Sequence, residues 1–201
     1  MIDYRSAETT ELNFRQRWAS YLTIFVTLVA LFAAFLLRGR SLDATADYEN
    51  KEEGITAHYP INWLLEESKG DFVFRVQDPA AIPFKTTLQM ALLPVGPGAR
   101  NADIPDLLNM TRAASLSAYR ALAIRPVTLP NGVQGIQMDY AYVSSEANPF
   151  LQSVPIVVRA IDVIVLRNNQ ALVVTYRSDS QTFEKNQHYF DNFLRTLEFN
   201  Q

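Results

Sequence analysis

The longest apolar stretch of the chain lies near its N-terminus. From Trp18 to Leu37 the sequence reads WASYLTIFVTLVALFAAFLL and carries no charged residue. A helix of about 20 residues, rising about 1.5 Å per residue, spans the roughly 30 Å hydrocarbon core of a bilayer. Trp18 suits the membrane interface, and Arg38 and Arg40 end the stretch. The pattern predicts one transmembrane helix over residues 18–37.

A cleaved signal peptide is the alternative, since Ala44-Thr45-Ala46 has the small-x-small form of a cleavage site. The apolar stretch is longer than the about 7–15 residues of a signal-peptide core. Arg38 and Arg40 also lie between the stretch and the candidate site. We therefore favour a retained anchor.

The basic residues that flank this helix do not decide its orientation. They are Arg5, Arg15 and Arg17 before the helix and Arg38, Arg40 and Lys51 after it. Because the two sides balance, the positive-inside rule is neutral. The chain contains no cysteine, which favours an extracytoplasmic domain. We predict a single-pass protein of the cell (inner) membrane, with a cytoplasmic tail at residues 1–17.

Small and hydroxylated residues recur at helical spacing within the predicted anchor. They are Thr23, Thr27, Ala30, Ala33 and Ala34. Such residues let helices approach closely in lipid, so this is a possible helix-packing face. Alanine and threonine are also common in any anchor, and the more informative glycine pair is absent.

The segment 38–53 is acidic and has no apolar periodicity. Its carboxylates are Asp43, Asp47, Glu49, Glu52 and Glu53. They lack the D-x-D-x-D-G spacing of a calcium loop. The segment predicts a solvated linker between the anchor and one folded domain at residues 54–201.

The rest of the chain alternates between strand and helix patterns. Period-2 or continuous apolar runs predict strands at 55–59, 72–76, 87–93, 133–142, 156–166 and 171–176. Helical stripes predict helices at 105–119 and 183–197. Asn168-Asn169 predicts a tight hairpin turn, Ser178 with Gln181 a capping box, and Gly135 a β-bulge. The fold class is α+β: an antiparallel sheet with helices packed on it, preceded by one transmembrane helix.

Composition and motifs argue against catalysis and against several kinds of site. A net charge of −3 and a pI near 5.4 leave no basic surplus for nucleic acid. Without cysteine there is no thiolate metal site and no cysteine nucleophile. His58 and His188 are the only histidines, and neither has a second ligand at metal-binding spacing. We predict no catalytic residue, no metal and no cofactor.

Asp162 is the one residue that suggests hidden chemistry. It interrupts an otherwise apolar strand pattern, and a buried carboxylate can have a shifted pKa. An arginine such as Arg159 or Arg177 would also accommodate it without any function.

Several local patterns resemble the PsbP-like family over about residues 53–199. They are Tyr59-Pro60-x-x-Trp63, the turn at 129–135, the hairpin at 167–176 and the closing 193–197. The resemblance implies a PsbP-like α+β fold. It also implies the role of that family, whose members are typically non-enzymatic extrinsic subunits on the lumenal or extracytoplasmic side of photosynthetic membranes. The spanning helix departs from the familiar members.

Two functions remain open at this point. The first is a non-catalytic accessory subunit of a larger bacterial membrane complex of photosynthetic or respiratory electron transfer, for example alternative complex III. Its partners would be other integral membrane subunits and the lipid bilayer. The alternative is a free-standing anchored domain that binds a small ligand or a cell-envelope component. In that case Asp162 or the tyrosines Tyr140, Tyr142 and Tyr176 would line its pocket.

Overall fold

The computed structural model describes residues 14–42, 44–66, 70–96, 98, 100–145, 154–167 and 170–199. The chain divides into two compact units, Met1–Ala44 and Thr45–Gln201. Among the described residues, the first unit contains one helix and the second contains two helices and ten strands. The helices are α1 (Phe14–Leu42), α2 (Ile104–Ser115) and α3 (Phe183–Thr196). The strands are β1 (Thr45–Asn50), β2 (Ile55–Pro60), β3 (Leu64–Glu66), β4 (Phe74–Gln77), β5 (Thr87–Pro94), β6 (Ser117–Thr128), β7 (Gln134–Ser144), β8 (Ile156–Arg167), β9 (Gln170–Asp179) and β10 (Glu198–Phe199).

Helix α1 forms the first unit and presents exposed apolar side chains along its length. Phe25 is 67% exposed and Phe32 is 66% exposed. The stretch Trp18–Phe35 has a mean hydropathy of 2.0 and none of it is buried. By length and composition, α1 is able to cross a membrane. It extends beyond the predicted span, 18–37, at both ends. A signal sequence near the N-terminus also meets this criterion of length and composition, so retention of the anchor stays a prediction.

A seven-stranded antiparallel sheet forms the centre of the second unit. Its strand order is β3-β4-β5-β9-β8-β7-β6. β8 and β9 pair continuously, and Arg167 lies opposite Gln170. This register confirms the predicted hairpin, although Asn168 and Asn169 themselves lie outside the described residues. The α+β class with an antiparallel sheet is confirmed.

One face of this sheet is covered by α3 and by a small sheet in the order β1-β2-β10. Helix α3 buries Phe183, Phe190 and Phe193, whose spacing places them on one side of the helix. Phe193 stacks on Phe74 of β4 with ring centroids 5.3 Å apart. Both rings are fully buried, so aromatic packing holds the two layers together.

The opposite face is covered by α2. Ile104 and Leu108, one helical turn apart, are buried against Met138, Val158 and other residues of the sheet. The helix packs most closely on the β6 end of the sheet. On this face, Arg75, Gln77, Thr87 and Arg177 of β4, β5 and β9 line an open groove described below.

Parts of the segment 38–53, which is predicted to be a solvated linker, form regular secondary structure. Helix α1 continues to Leu42, and β1 occupies Thr45–Asn50 and pairs with β2. In β1 the acidic side chains alternate with half-buried ones, so Asp47 faces solvent. Tyr48 points inward and donates a hydrogen bond to the carbonyl of Val73 at 2.7 Å. The packing and hydrogen bond of Tyr48 hold this acidic segment against the domain as an edge strand.

Two further local predictions differ from the structure. The helix predicted over 105–119 ends at Ser115, and residues 117–128 form the strand β6. The capping box predicted at Ser178 is wrong, because Ser178 belongs to β9 and Thr182 is the N-cap of α3. There, Asp179 Oδ1 accepts the backbone N–H of Gln181 at 2.9 Å.

Gly135 lies in regular pairing with Val127 rather than at the predicted bulge. A Cβ at this position would lie 2.7 Å from the carbonyl oxygen of Ile164 in the neighbouring strand. The glycine is therefore required by close backbone approach.

We expect Gly135→Ala to lower the free energy of unfolding by about 1–3 kcal/mol, because the paired backbone must move apart. Gly96→Ala is the matched control, since no atom lies within 4 Å of its added methyl. Urea denaturation of the full chain in detergent, followed by circular dichroism, measures both. Equal stability of the two variants would contradict this account of Gly135.

Candidate functional site

Asp162 of β8 is fully buried between the large sheet and α2. Its Oδ1 accepts a hydrogen bond from Thr175 Oγ1 at 2.7 Å and a longer one from the Tyr140 hydroxyl at 3.4 Å. Its Oδ2 lies 2.5 Å from Nη2 of Arg112. The carboxylate is therefore held by a strand neighbour on each side and by a cation from the helix above.

Arg112 reaches Asp162 because it lies on the face of α2 that is packed against the sheet. Ile104, Leu108 and Arg112 recur every fourth residue, which places all three on the side of the helix that faces the sheet. The Arg112 side chain is only 19% exposed. Its guanidinium lies 4.7 Å from the centroid of the Tyr140 ring, a cation–π contact.

The charges of this cluster are those of a buried ion pair between Arg112 and Asp162. Burial raises the pKa of the Asp162 carboxyl, and the Arg112 guanidinium and the Thr175 hydroxyl oppose that rise. Burial and the nearby Asp162 charge also raise the pKa of the Tyr140 hydroxyl. With no exposed atom on Asp162, the carboxylate has no surface at which a substrate would meet it. Its geometry fits a structural role.

The arginines predicted as partners of Asp162 are placed differently. Arg159 lies on the other face of the sheet, where its Nη1 is 2.7 Å from Glu184 Oε1. Arg177 lies on the same face as Asp162 but makes no ion pair with it among the described residues. The actual partner, Arg112, was not predicted, although its position one turn after Leu108 was the signal that could have found it.

Neither histidine belongs to a metal-binding cluster among the described residues. His58 Nε2 lies 3.3 Å from Asp47 Oδ1 on an exposed strand edge. His188 Nδ1 lies 2.8 Å from the carbonyl of Lys185 in its own helix. Within the described parts of the chain, no group of three His, Cys, Asp or Glu residues is arranged to hold a metal ion.

The predicted helix-packing face of α1 lies on an exposed helix surface. The hydroxyls of Thr23 and Thr27 each donate to the carbonyl one turn earlier, at 2.9 Å. The alanines Ala30, Ala33 and Ala34 are exposed as well. The hydroxyls are thus satisfied within the helix, and their use in packing remains a prediction.

Beside the buried pair, the same face of the sheet carries an open groove with a volume of about 360 Å³. Its floor includes Arg75 of β4, Thr87 of β5 and Arg177 of β9. Phe84 and Lys85, from the loop between β4 and β5, form one wall. Among the described residues that line the groove there is no carboxylate.

Comparisons with known proteins identify the architecture. No protein-family model matches the sequence, and no curated protein matches it. The solution structure of the cyanobacterial PsbP protein CyanoP from Synechocystis sp. PCC 6803 aligns with a TM-score of 0.57 at 10% identity, covering 78% of this chain and 93% of that one. The domain has a PsbP-like fold.

Two further structures share the fold of this PsbP-like domain. The Ran-binding protein Mog1p of Saccharomyces cerevisiae aligns with a TM-score of 0.52 at 11% identity, over 78% of this chain and 95% of that one. LpqN, which is involved in cell envelope biogenesis of Mycobacterium tuberculosis, aligns with a TM-score of 0.52 at 12% identity, over 79% and 91%. Identities this low establish the fold alone. The predicted resemblance is confirmed at that level.

The three tyrosines considered as pocket residues do not share a pocket in the PsbP-like domain. Tyr142 lines the groove. Tyr140 is fully buried beside Asp162. Tyr176 points to the opposite face, where its hydroxyl donates to the carbonyl of Phe183 at 2.9 Å. The alternation of strand side chains separates Tyr176 from the other two.

Proposed function

We propose that the protein is a non-catalytic, single-pass accessory subunit of a larger bacterial membrane complex. The observation that carries this proposal is the uninterrupted exposed apolar surface of α1 from Trp18 to Phe35. A surface of this kind is stable only against lipid or other apolar helices. The proposed partners are therefore the bilayer and other integral membrane subunits.

The PsbP-like domain supports a role in binding rather than catalysis. The fully buried carboxylate of Asp162 is paired with Arg112 and has no exposed atom. The described residues contain no nucleophile hydrogen-bonded to a base and its orienting group, the arrangement typical of covalent catalysis. We place the domain outside the cytoplasm, and the complex among those of photosynthetic or respiratory electron transfer, such as alternative complex III.

In this proposal the anchor packs among neighbouring helices through its small-residue face. Thr23, Thr27, Ala30 and Ala34 fall on one side of α1, because they are spaced by three or four residues. Close helix approach on that side would be blocked by a bulky side chain.

Purification of the full chain from its native membrane in mild detergent tests the proposal. We expect a fixed set of integral membrane proteins to co-purify, and we expect Ala34→Phe to reduce their yield severalfold. Leu28→Phe is the control, since it adds an aromatic ring away from the small-residue face. A monodisperse monomer, or equal losses from the two variants, would contradict docking through this face.

A further inference from the structure

The groove beside the buried ion pair holds two guanidinium groups in a fixed arrangement. Arg75 Nε and Arg177 Nη2 both donate to Gln89 Oε1, at 3.0 Å and 2.9 Å. Arg75 is further held by Glu66, at 3.2 Å, and by the ring of Phe72, 3.8 Å from its guanidinium carbon. A single neutral acceptor thus brings two cations side by side without neutralising either of them.

The charges at the groove are unbalanced among the described residues. Arg112 is paired with Asp162, and Arg75 is paired with Glu66. Arg177 and Lys85 have no carboxylate within ion-pair distance in the described parts of the chain. The Lys85 ammonium instead donates to the carbonyl of Pro79. Among the described residues, the positive charges of Arg177 and Lys85 therefore have no carboxylate partner.

Arg177 also carries a donor without an acceptor. Its Nε is buried and has no hydrogen-bond partner among the described residues. A buried donor left unpaired costs free energy, so such groups in folded proteins usually meet water, an ion or a ligand. Because this Nε is itself inaccessible, an anion in the groove would meet the part of the Arg177 side chain that lines the groove, and Nε would report the contact from within the same guanidinium.

We propose that this groove binds a phosphate group, presented by a soluble small molecule or by a lipid headgroup. Guanidinium forks match the geometry of phosphate oxygens, and a phosphate monoester carries about −1.5 to −2 charges, close in magnitude to the combined charge of Arg177 and Lys85. The volume of about 360 Å³ exceeds what a bare ion needs. Phe84 and Tyr142 also line the groove, and their rings could contact the rest of the ligand.

The site is independent of the proposed membrane partners, because every residue in it belongs to the PsbP-like domain. The test uses the full chain in an uncharged detergent. The Nε–Hε NMR signal of Arg177, assigned from its loss in Arg177→Gln, is followed while inorganic phosphate replaces chloride at constant ionic strength and pH. We expect this signal to shift and saturate with phosphate.

Variants then separate a specific site from general electrostatics. Binding of phosphate should weaken about tenfold or more in Arg177→Gln and in Lys85→Gln. Lys85 is exposed, so its variant remains informative even if Arg177→Gln perturbs folding. Arg120→Gln removes the same charge from the exposed edge strand β6 and should leave binding unchanged.

Two probes identify the source of the phosphate. Tighter binding of glycerol 3-phosphate than of dihexanoylphosphatidic acid, which carries the same phosphate monoester, would support a soluble ligand, and the reverse order would support a lipid headgroup. If the chemical shift of the Arg177 signal does not change at high phosphate concentration, the proposal is overturned. An equal loss of binding in Arg120→Gln would also overturn it.

Discussion

Replacing Asp162 with alanine is expected to lower the free energy of unfolding by about 3–5 kcal/mol. The loss arises because the Arg112 guanidinium, 19% exposed, would be left as an uncompensated buried charge. Thr175 would also lose the acceptor that lies 2.7 Å from its hydroxyl. Urea denaturation of the full chain in detergent, followed by circular dichroism, measures the change.

Two further variants isolate the ion pair as the cause. Glu184→Ala breaks an exposed pair with Arg159, in which the glutamate is 72% exposed, and should cost only about 0–1 kcal/mol. Arg112→Met combined with Asp162→Leu removes both buried charges and should cost much less than Asp162→Ala alone. If Asp162→Ala and Glu184→Ala are equally stable, the buried pair does not have the role assigned to it.

The elements that could be predicted from sequence are those that bury one face or, in the central strands, both faces. Strands β2, β4 and β5 alternate buried and more exposed side chains over at least part of their length, and β8 and β9 are buried on both faces over most of their central residues. In α3, Phe183, Phe190 and Phe193 form a clear helical stripe. In each case burial imposes the periodicity that sequence analysis detects.

Strand β6 had no such signal. It is the edge of the large sheet, and its side chains are mostly exposed. Its pairing with β7 is interrupted by register shifts around Ala121, and Ala118 has a positive φ of 50°. Its strand-favouring residues, such as Tyr119, Ile124 and Val127, are interspersed with arginines and alanines, so no apolar alternation marked it as a strand.

The candidate site was only half predictable. Asp162 stood out because a charge interrupted an apolar strand, but its partner lies on α2, which is distant in sequence. The groove shows the same limit. Arg75, Gln89 and Arg177 each occupy the polar parity of their own strand. These three residues become neighbours only because β4 pairs with β5 and β5 pairs with β9. The sequence pattern of one strand does not show which strand it pairs with.

Introducing Val26→Arg together with Val29→Arg is expected to abolish membrane insertion of α1. Both positions lie near the middle of the apolar stretch, where the side chains are 56% and 50% exposed to the surroundings. Each arginine at the centre of a spanning helix costs about 2.5–3.5 kcal/mol, so the pair costs about 5–7 kcal/mol. Val26→Leu with Val29→Leu keeps the helix apolar and should insert normally.

A reporter fused after Gln201 measures insertion and orientation together. Alkaline phosphatase needs the disulfide-forming environment outside the cytoplasm to become active, so the proposed topology predicts activity for the parent chain and for the leucine variant. The arginine variant should lose that activity and should be released from membranes by alkaline carbonate. An inactive parent fusion that stays in the membrane would place the domain in the cytoplasm. An active parent fusion that is released as a soluble fragment starting near Asp47 would identify the apolar stretch as a cleaved signal peptide. Such a fragment would arise from cleavage directly after Ala44-Thr45-Ala46.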